Sequence, residues 1–318
     1  MNRILVLGGT GFIGRSVCEK LVERNGGGGG RIKVATRRPM RAGDLWALPT
    51  VEVIRADVHD DTQLARLVAR CDAVINLVGI LHGSEAEFQR AHVELPTRLA
   101  KACRGAGVRR IVHVSAIGAD SAAPSKYLRS KAAGEAALRQ SGVELTLLRP
   151  SVVFGERDRF INLFARLQRR FPVLPLACAD ARFQPVWVED LASAIAHTLD
   201  MPAAAGQLYE LAGPTVYTLR ELVQRAGAWS GHPRKVIALP DVLARIQAAL
   251  FEMLPGRPLI SRDNLDSMKV PNVVSGTAPG LAALGITPVA LETVMRPVLE
   301  HRAGMQRLQP LRAHARRF

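Results

Sequence analysis

A tyrosine and a lysine four residues apart, Tyr127 and Lys131, are the side chains of this sequence best suited to moving a proton. At this spacing two residues lie on the same face of a helix. A tyrosine has an unperturbed pKa of about 10, so it exchanges a proton at neutral pH only when a nearby cation stabilises the phenolate. The spacing therefore predicts a proton-transfer pair in which Lys131 tunes Tyr127. The alternative is a surface pair without chemistry.

Three glycines at intervals of three residues, Gly8, Gly11 and Gly14, follow an apolar run near the start of the sequence. The run predicts a buried strand, and the apolar spacing after it predicts a helix. In such a turn the first glycine allows a sharp bend, the second lets the backbone approach a pyrophosphate, and the third lets the helix pack on the sheet. Unpaired N–H groups at the start of the helix favour an anion, so we expect a dinucleotide here. The other turn residues expected to contact it are Thr10, Phe12 and Ile13.

The end of the second predicted strand indicates which nicotinamide cofactor is preferred. An acidic residue there would bond the ribose 2′-OH and select NAD. The segment Ala35-Thr36-Arg37-Arg38-Pro39 has no acid. Arg37 and Arg38 can form charge-assisted hydrogen bonds with a 2′-phosphate, so we predict that NADP(H) is favoured over NAD(H). The alternative is that both arginines only face solvent.

Strand-like and helical segments alternate through the first half of the sequence. This order predicts an α/β fold with a doubly wound parallel sheet of the Rossmann type, followed by a smaller C-terminal α/β lobe that binds substrate. We expect residues 1–150 to form the dinucleotide-binding domain, completed by segments near 186–212. Residues 151–300 would form the interleaved lobe, and 301–318 a basic tail. The predicted strands are 3–9, 32–37, 51–57, 73–79, 110–116, 144–150 and 207–211.

The 318 residues carry a formal net charge of +15. Nucleic-acid binding is not expected, because the basic residues are scattered and form no stripe interleaved with aromatic residues. After Glu300 no acid remains. This end is interpreted as a solvated tail, or as an arm for anionic lipid, an acidic partner or a respiratory complex. Its arginines are Arg302, Arg307, Arg312, Arg316 and Arg317.

An amphipathic helix is predicted near residue 250, because apolar residues recur there at helical spacing. We expect its apolar face to pack in the core; a surface for a membrane or a partner is the alternative. The apolar residues are Val242, Leu243, Ile246, Leu250, Met253 and Leu254.

The cysteines and the apolar runs limit the class of protein. Cys18, Cys71, Cys103 and Cys178 lie far apart, so we predict reduced thiols with neither a disulfide framework nor a metal site. The apolar run 73–81 is too short to span a bilayer. No targeting segment precedes the first strand, so the expected compartment is the cytoplasm, with peripheral contact at the inner membrane face as the alternative.

Together these residues resemble the extended short-chain dehydrogenase/reductases, over nearly the whole sequence. The resemblance implies that Asp57 and Val58 contact the adenine, and that Leu77, Val78, Gly79 and Pro150 line the cofactor site. A looser similarity links the second half to an atypical branch related to the nicotinamide-nucleotide-binding accessory subunit of respiratory complex I. The motifs that carry the broad resemblance are Asp57-Val58, Asn76-Leu77-Val78-Gly79, 149–155 and 186–192; those of the narrower one are 261–265, 272–274 and 284–288.

One departure from the family pattern bears on catalysis. The family places a Ser or Thr hydroxyl just past the fifth strand, and Ala116 stands at that position. Ser115 precedes it, and successive strand residues point to opposite faces, so Ser115 is a catalytic candidate only if the strand has already ended. The family's helix asparagine is replaced by His92, for which a satisfied core histidine is the favoured interpretation.

Several functions are consistent with these residues. The first is an oxidoreductase that moves hydride between NADP(H) and a carbonyl or alcohol of an unidentified small molecule, with Tyr127 passing the proton. The second is a non-catalytic cofactor-binding module of a respiratory or quinone-biosynthetic complex. Others are a sugar-nucleotide epimerase or dehydratase and a redox sensor. The epimerase would hold a diphosphate through arginines that could equally form an exposed basic helix: Arg157, Arg159, Arg166, Arg169 and Arg170.

Overall fold

A seven-stranded parallel sheet forms the centre of the molecule, in a computed structural model that describes residues 1–256 and 258–314. The strands are β1 (Arg3–Leu7), β2 (Arg31–Thr36), β3 (Val51–Arg55), β4 (Ala73–Asn76), β5 (Arg110–Val114), β6 (Glu144–Pro150), β7 (Val153–Phe154), β8 (Val173–Leu176), β9 (Arg182–Phe183), β10 (Val186–Trp187), β11 (Leu208–Leu211), β12 (Tyr217–Thr218) and β13 (Lys235–Ala238). The order in the central sheet is β3-β2-β1-β4-β5-β6-β11. The predicted doubly wound fold is confirmed.

Helices cover both faces of this sheet. They are α1 (Phe12–Arg24), α2 (Asp61–Val68), α3 (Glu85–Gln89), α4 (Leu95–Gly105), α5 (Lys126–Arg139), α6 (Ile161–Arg170), α7 (Val188–Asp200), α8 (Leu219–Trp229), α9 (Asp241–Met253), α10 (Arg262–Ser267) and α11 (Leu291–His314). A π-helical turn, Arg90–Glu94, joins α3 to α4. Capping boxes at the starts of α3, α8 and α10 fix where these helices begin.

The chain reverses its winding direction at β1. From β1 it proceeds outward to β2 and β3, and then returns to place β4 on the other side of β1. Residues 4–7 are fully buried, as expected for a central strand covered by helices on both faces. In sheets of this type ligands bind beyond the carboxyl ends of the strands at the reversal point. The site is therefore expected at the carboxyl ends of β1 and β4.

Residues after Pro150 contribute to the sheet and also build a second unit. Helix α7 packs against α1, and β11 pairs with β6. The remainder forms a separate apolar core around α6, α8 and the first turns of α11, together with short two-stranded pairings such as β8–β13. This arrangement places residues 261–274 beside the first half of the chain.

The prediction that the large apolar residues of α9 pack in the core is wrong. Ala244 and Ala248 are the buried residues of this helix, while Val242, Leu250 and Met253 are 68%, 59% and 81% exposed. The two small alanines allow close approach to the body of the protein, so the large apolar side chains are directed away from it. The predicted helix is confirmed, but the face that packs on the protein is the one with the alanines, opposite the large apolar residues.

The predicted basic tail begins as helix. Residues 301–314 continue α11, and the Arg302 guanidinium donates to Asn162 Oδ1 (2.6 Å) and to the Glu156 carbonyl (2.9 Å). The side chains of Arg307 and Arg312, and residues 315–318 with Arg316 and Arg317, lie outside the described residues.

The described residues also bear on membranes and metals. None of their helices is both long enough and apolar enough to cross a bilayer. The four cysteines are free thiols. In the described part of the chain no three His, Cys, Asp or Glu side chains cluster as metal ligands.

Helix α5 lies so close to the π-helical turn that only glycine fits at position 134. A Cβ on Gly134 would lie 1.9 Å from the His92 carbonyl oxygen. We expect Gly134→Ala to push the two helices apart and to lower the free energy of unfolding by about 1–3 kcal/mol, measured by urea denaturation. The control is Gly105→Ala on α4, where an added Cβ meets no atom within 4 Å. Equal stability of the two variants would contradict the close approach.

Candidate active site

The glycine turn forms one wall of the site, at the carboxyl end of β1. Gly8 has φ +81°, and a Cβ there would lie 3.1 Å from the Leu77 carbonyl carbon. A Cβ on Gly14 would lie 2.4 Å from the Gly8 carbonyl oxygen. The first and third glycines are thus required by the fold itself, one by its conformation and one by close helix packing.

The N-terminus of α1 is built to receive an anion. No side chain caps it, and its first turn holds no acid. A Cβ on Gly11 would contact only the Gly8 carbonyl oxygen within 4 Å, at 3.1 Å, so the outer side of this residue is open. Thr10, Phe12 and Ile13 flank the opening and are partly buried. This cradle fits a pyrophosphate group.

Arg37 and Arg38 lie just past the carboxyl end of β2, next to this cradle in the sheet order. Both are exposed, and neither forms an ion pair within the described residues. Other nearby arginines are paired: Arg157 and Arg15 both pair with Asp44. Two unpaired guanidinium groups are therefore available to an anionic ligand at this edge.

The adenine-side residues are ordered by local hydrogen bonds. The Asp57 N–H donates to Gln63 Oε1 (2.9 Å), and the Asp57 carboxylate accepts from the His59 N–H (3.0 Å). Val58 packs on the apolar cluster under α2. These contacts fix the conformation of the segment after β3.

The segment after β4 connects the glycine turn with α5. The Leu77 N–H donates to the Leu7 carbonyl (2.9 Å), and the Val78 N–H to Asn76 Oδ1 (3.2 Å). A Cβ on Gly79 would lie 3.2 Å from Lys131 Nζ. Gly79 therefore lies directly against the lysine ammonium, and a larger residue here would press on it.

Two side chains fix the start of α5. Ser125 Oγ accepts from the Leu128 N–H (3.2 Å). The Asp263 carboxylate, from α10, accepts from the N–H groups of Lys126 (2.6 Å) and Tyr127 (3.1 Å). A carboxylate near a helix N-terminus is stabilised by the helix dipole. Asp263 lies in the 261–265 motif, but no local pattern marks it as a cap of α5, because its partner groups are backbone N–H groups 136 and 137 residues away.

Tyr127 packs in an aromatic group with Phe88 and His92. Its ring centroid is 6.1 Å from that of Phe88 and 5.6 Å from that of His92, both in edge contacts. Desolvation of the phenol raises the pKa of Tyr127 to about 12. The hydroxyl is therefore protonated at neutral pH.

Lys131 is buried one turn further along the same face of α5. Its Nζ donates to the Val114 carbonyl (3.2 Å), at the end of β5. Burial lowers the pKa of Lys131 to about 8, and the charge of Glu135 opposes this shift. The lysine therefore carries its charge at neutral pH.

Glu135 ties α5 to the carboxyl end of β6. It is fully buried and accepts two hydrogen bonds from Arg149, at 2.8 Å and 2.7 Å, and a third contact comes from Arg139 (3.2 Å). The bidentate geometry of Arg149 fixes both partners. Pro150, the next residue, accepts at its carbonyl from the Ile117 N–H (3.1 Å). Pro150 thus lies at the edge of the site and closes the turn after β5.

His92 lies in the π-helical turn and is fully hydrogen-bonded. Its Nε2 accepts from the Ile80 N–H (3.0 Å), so the ring proton is on Nδ1, which donates to Ser130 Oγ (2.8 Å). Ser130 Oγ in turn donates to the Tyr127 carbonyl (2.7 Å). Burial, together with the charge of Lys131, lowers the pKa of His92 to about 3. His92 is a neutral positioning residue that joins the segment after β4 to the first turn of α5.

The structure ends β5 at Val114, so Ser115 lies past the strand and meets the condition set for a catalytic candidate, although no hydrogen bond joins it to Tyr127 or Lys131 in the described residues. Ala116, at the position of the family's hydroxyl, lies in one apolar cluster with Tyr127 and Val270. Ser115 is buried, and its hydroxyl has no hydrogen-bond partner among the described residues. The position beside the tyrosine is therefore apolar.

The segment 261–274 covers the outer side of the site. Val270 and Tyr127 pack against the same apolar cluster, and Asn264 Nδ2 donates to the Leu81 carbonyl (3.3 Å). Asn272 Oδ1 accepts from Ser151 Oγ (2.7 Å) and from the Val152 N–H (2.8 Å). These contacts join the segment 261–274 to the segments after β4 and β6.

The arginines considered for a sugar-nucleotide diphosphate do not converge. Arg157 pairs with Asp44 before α6 begins, whereas Arg169 and Arg170 are exposed at the other end of that helix. Arg159 and Arg166 are also exposed. The structure thus offers no arginine cluster of this set.

The comparisons with known proteins agree with this geometry. A profile described as the NAD dependent epimerase/dehydratase family matches residues 4–212. The chain belongs to this family. The predicted resemblance is confirmed at this level, and the matched range contains every residue assigned above to the cofactor and to the Tyr127–Lys131 pair.

Among named relatives, the chain is 32% identical over 301 residues to the mitochondrial NADH dehydrogenase (ubiquinone) 1 alpha subcomplex subunit 9 of Mus musculus, covering 90% of this chain and 77% of that protein. It is 27% identical over 235 residues to a (4-alkanoyl-5-oxo-2,5-dihydrofuran-3-yl)methyl phosphate reductase of Streptomyces griseus, covering 72% and 74%. The solved NADPH-dependent quinone oxidoreductase of Escherichia coli, complexed with NADPH, shares the fold with a TM-score of 0.74 at 21% identity, covering 95% of this chain and 99% of that one.

The burial of His92 predicts a loss of stability in acid. The unfolded side chain takes up a proton below about pH 6.5, whereas the folded one stays neutral to about pH 3. Because the unfolded state binds more protons, the free energy of unfolding falls with decreasing pH across this window, by about 1.4 kcal/mol per pH unit for this group.

His92→Asn, which removes the titrating ring and keeps a polar group at the position of Nδ1, should make the decrease shallower in urea titrations between pH 7 and pH 5. His113, also buried, has a lowered pKa and contributes in the same direction to both proteins. The exposed His301→Asn is the control. An unchanged slope in His92→Asn would show that the folded histidine titrates normally.

Proposed function

We propose that this chain is an NADP(H)-dependent oxidoreductase that reduces a carbonyl group, with Tyr127 as the proton donor. The observation that carries the proposal is the placement of Lys131: its ammonium is held by the Val114 carbonyl directly against Gly79, on the same helix face as Tyr127. A buried lysine at this edge of the sheet, beside an anion cradle, has no evident structural function, since its burial is unfavourable.

The residues of the site fit a pyridine dinucleotide. The N-terminus of α1 after Gly11 would hold the pyrophosphate, and Arg37 and Arg38 a 2′-phosphate. Asp57 with Val58 would border the adenine. Lys131 and Gly79 would contact the nicotinamide end. When bound, such a cofactor supplies a hydride to the carbonyl carbon.

The protonation states of the side chains favour reduction. Tyr127 carries its proton at neutral pH, and it would give that proton to the carbonyl oxygen as negative charge develops there. Burial raises the pKa of Tyr127 to about 12 and so makes it a weaker acid, which the charge of Lys131, one turn further along α5, would have to offset by stabilising the phenolate. Ala116 supplies no second donor, and the loss of one preorganised donor typically lowers the rate by about 10²–10³. We therefore expect a slow enzyme.

A second candidate is a cofactor-binding subunit without catalysis, in a respiratory or quinone-biosynthetic assembly at the membrane. Two observations support it: the apolar Ala116 beside Tyr127, and the similarity to the Mus musculus subunit. In that function bound NADP(H) would stabilise the folded state by an amount that rises with the logarithm of its concentration above the Kd. The Streptomyces reductase supports the enzyme instead.

Arg37 and Arg38 should determine cofactor preference. Replacing both with alanine removes two charge-assisted hydrogen bonds to the 2′-phosphate. We expect the affinity for NADPH to fall roughly ten- to hundred-fold and that for NADH to change little, in calorimetric titrations. The control is Arg109→Ala. Arg109 is exposed and precedes β5, so it lies at the amino ends of the strands, away from the cofactor site at their carboxyl ends. Tighter binding of NADH than of NADPH by the unmodified chain would refute the proposed preference.

Tyr127→Phe separates the two candidate functions. If the chain is an oxidoreductase, the variant keeps its affinity for NADPH. Its carbonyl-dependent oxidation of NADPH falls at least 10²-fold, because the proton donor is removed. If the chain is a non-catalytic subunit, the variant still binds NADPH and still complements a deletion strain. Gly11→Val, which obstructs the anion cradle, should abolish cofactor binding in either case. If that variant still binds NADPH normally, the site is misassigned.

A further inference from the structure

Helix α9 has its small residues inward and its large apolar residues outward. Ala244 and Ala248 pack on the body of the protein. At 3.6 residues per turn, the exposed apolar residues fall within an arc of about 100° on the opposite side of the helix. They are Val242, Leu243, Ile246, Leu250 and Met253.

The segments connected to α9 carry further exposed apolar side chains. Ten of the fifteen large apolar side chains that are exposed in the described residues lie in the segments 171–173 and 237–259. The segments are connected, because β8 pairs with β13 and α9 begins three residues after β13 ends. We call this area the α9 surface. Beyond the residues of α9 named above, it includes Phe171, Val173, Ile237, Leu254 and Leu259.

The charges around the α9 surface are positive. The two acids of α9 are neutralised, since Asp241 pairs with Arg245 (3.2 Å) and Glu252 with Arg262 (2.8 Å). At the other end of the surface Arg169, Arg170 and Lys235 are exposed and form no ion pair within the described chain. Lys235 lies in register beside the exposed Val173.

We infer that the α9 surface binds the surface of an anionic lipid bilayer, with α9 lying in the plane of the interface. An interfacial helix of this kind buries its apolar face among the acyl chains, while neighbouring cations attract anionic headgroups. Nine of the ten large apolar residues of the α9 surface are aliphatic or Met and one is Phe171, whereas protein interfaces concentrate energy in Trp, Tyr and Arg. A net charge of +15 also opposes pairing of two copies.

The test is co-sedimentation of the full chain with vesicles of phosphatidylglycerol and phosphatidylcholine, compared with phosphatidylcholine alone. We expect binding to the anionic vesicles that weakens with added salt, and at least tenfold weaker binding to the neutral ones. Ile246→Glu with Leu250→Glu should reduce anionic binding at least tenfold, since both side chains are exposed and their replacement leaves the fold intact. Circular dichroism and the thermal midpoint verify the fold.

The matched control is Met40→Glu with Trp46→Glu, two exposed apolar residues outside the α9 surface. These changes should leave vesicle binding unchanged. The inference is overturned if the unmodified chain ignores anionic vesicles, or if the α9 variant binds them as well as the unmodified chain. Sedimentation velocity tests whether a second copy of the chain occupies the α9 surface instead. If the chain forms a dimer that the α9 substitutions dissociate, and does not bind vesicles, the surface is a dimer interface.

Discussion

The distance between α5 and the π-helical turn is the constraint on which the rest of the site depends. Only a glycine at position 134 allows this contact, since any Cβ would overlap the His92 carbonyl. Close packing brings His92 within hydrogen-bond reach of Ser130 and the segment after β4. The same packing lets Lys131 reach both the end of β5 and Gly79. π-Helical turns are frequent at functional sites. Here the π-helical turn contacts both α5 and the segment after β4.

Burial is the common cause of the electrostatics of the site. It raises the pKa of Tyr127 and lowers the pKa values of Lys131 and His92. Glu135 is also buried, but Arg149 and Arg139 satisfy its charge, so it stabilises α5 at the point where the lysine is desolvated. At neutral pH Tyr127 is therefore protonated and His92 is neutral. This distribution suits a site that gives a proton to substrate.

The sequence predicted features set by local spacing and missed those set by tertiary contacts. The alternation of strands and helices, the glycine turn and the shared face of Tyr127 and Lys131 follow from short-range periodicity, and the structure contains them. The orientation of α9 does not follow, because helical spacing reveals an apolar face but not which face packs; the alanines at 244 and 248 decided it. Asp263 was missed for a similar reason, because it caps α5 from a distant part of the chain.

The most direct test of the central claim is the electron density of crystals of cofactor-free protein soaked with NADPH. We predict continuous density for one dinucleotide, running from Arg37 and Arg38 past the start of α1 to Lys131, with Tyr127 at its nicotinamide end. A crystal in which the dinucleotide lies elsewhere, or in which no density appears at millimolar NADPH with the site free of lattice contacts, would contradict it.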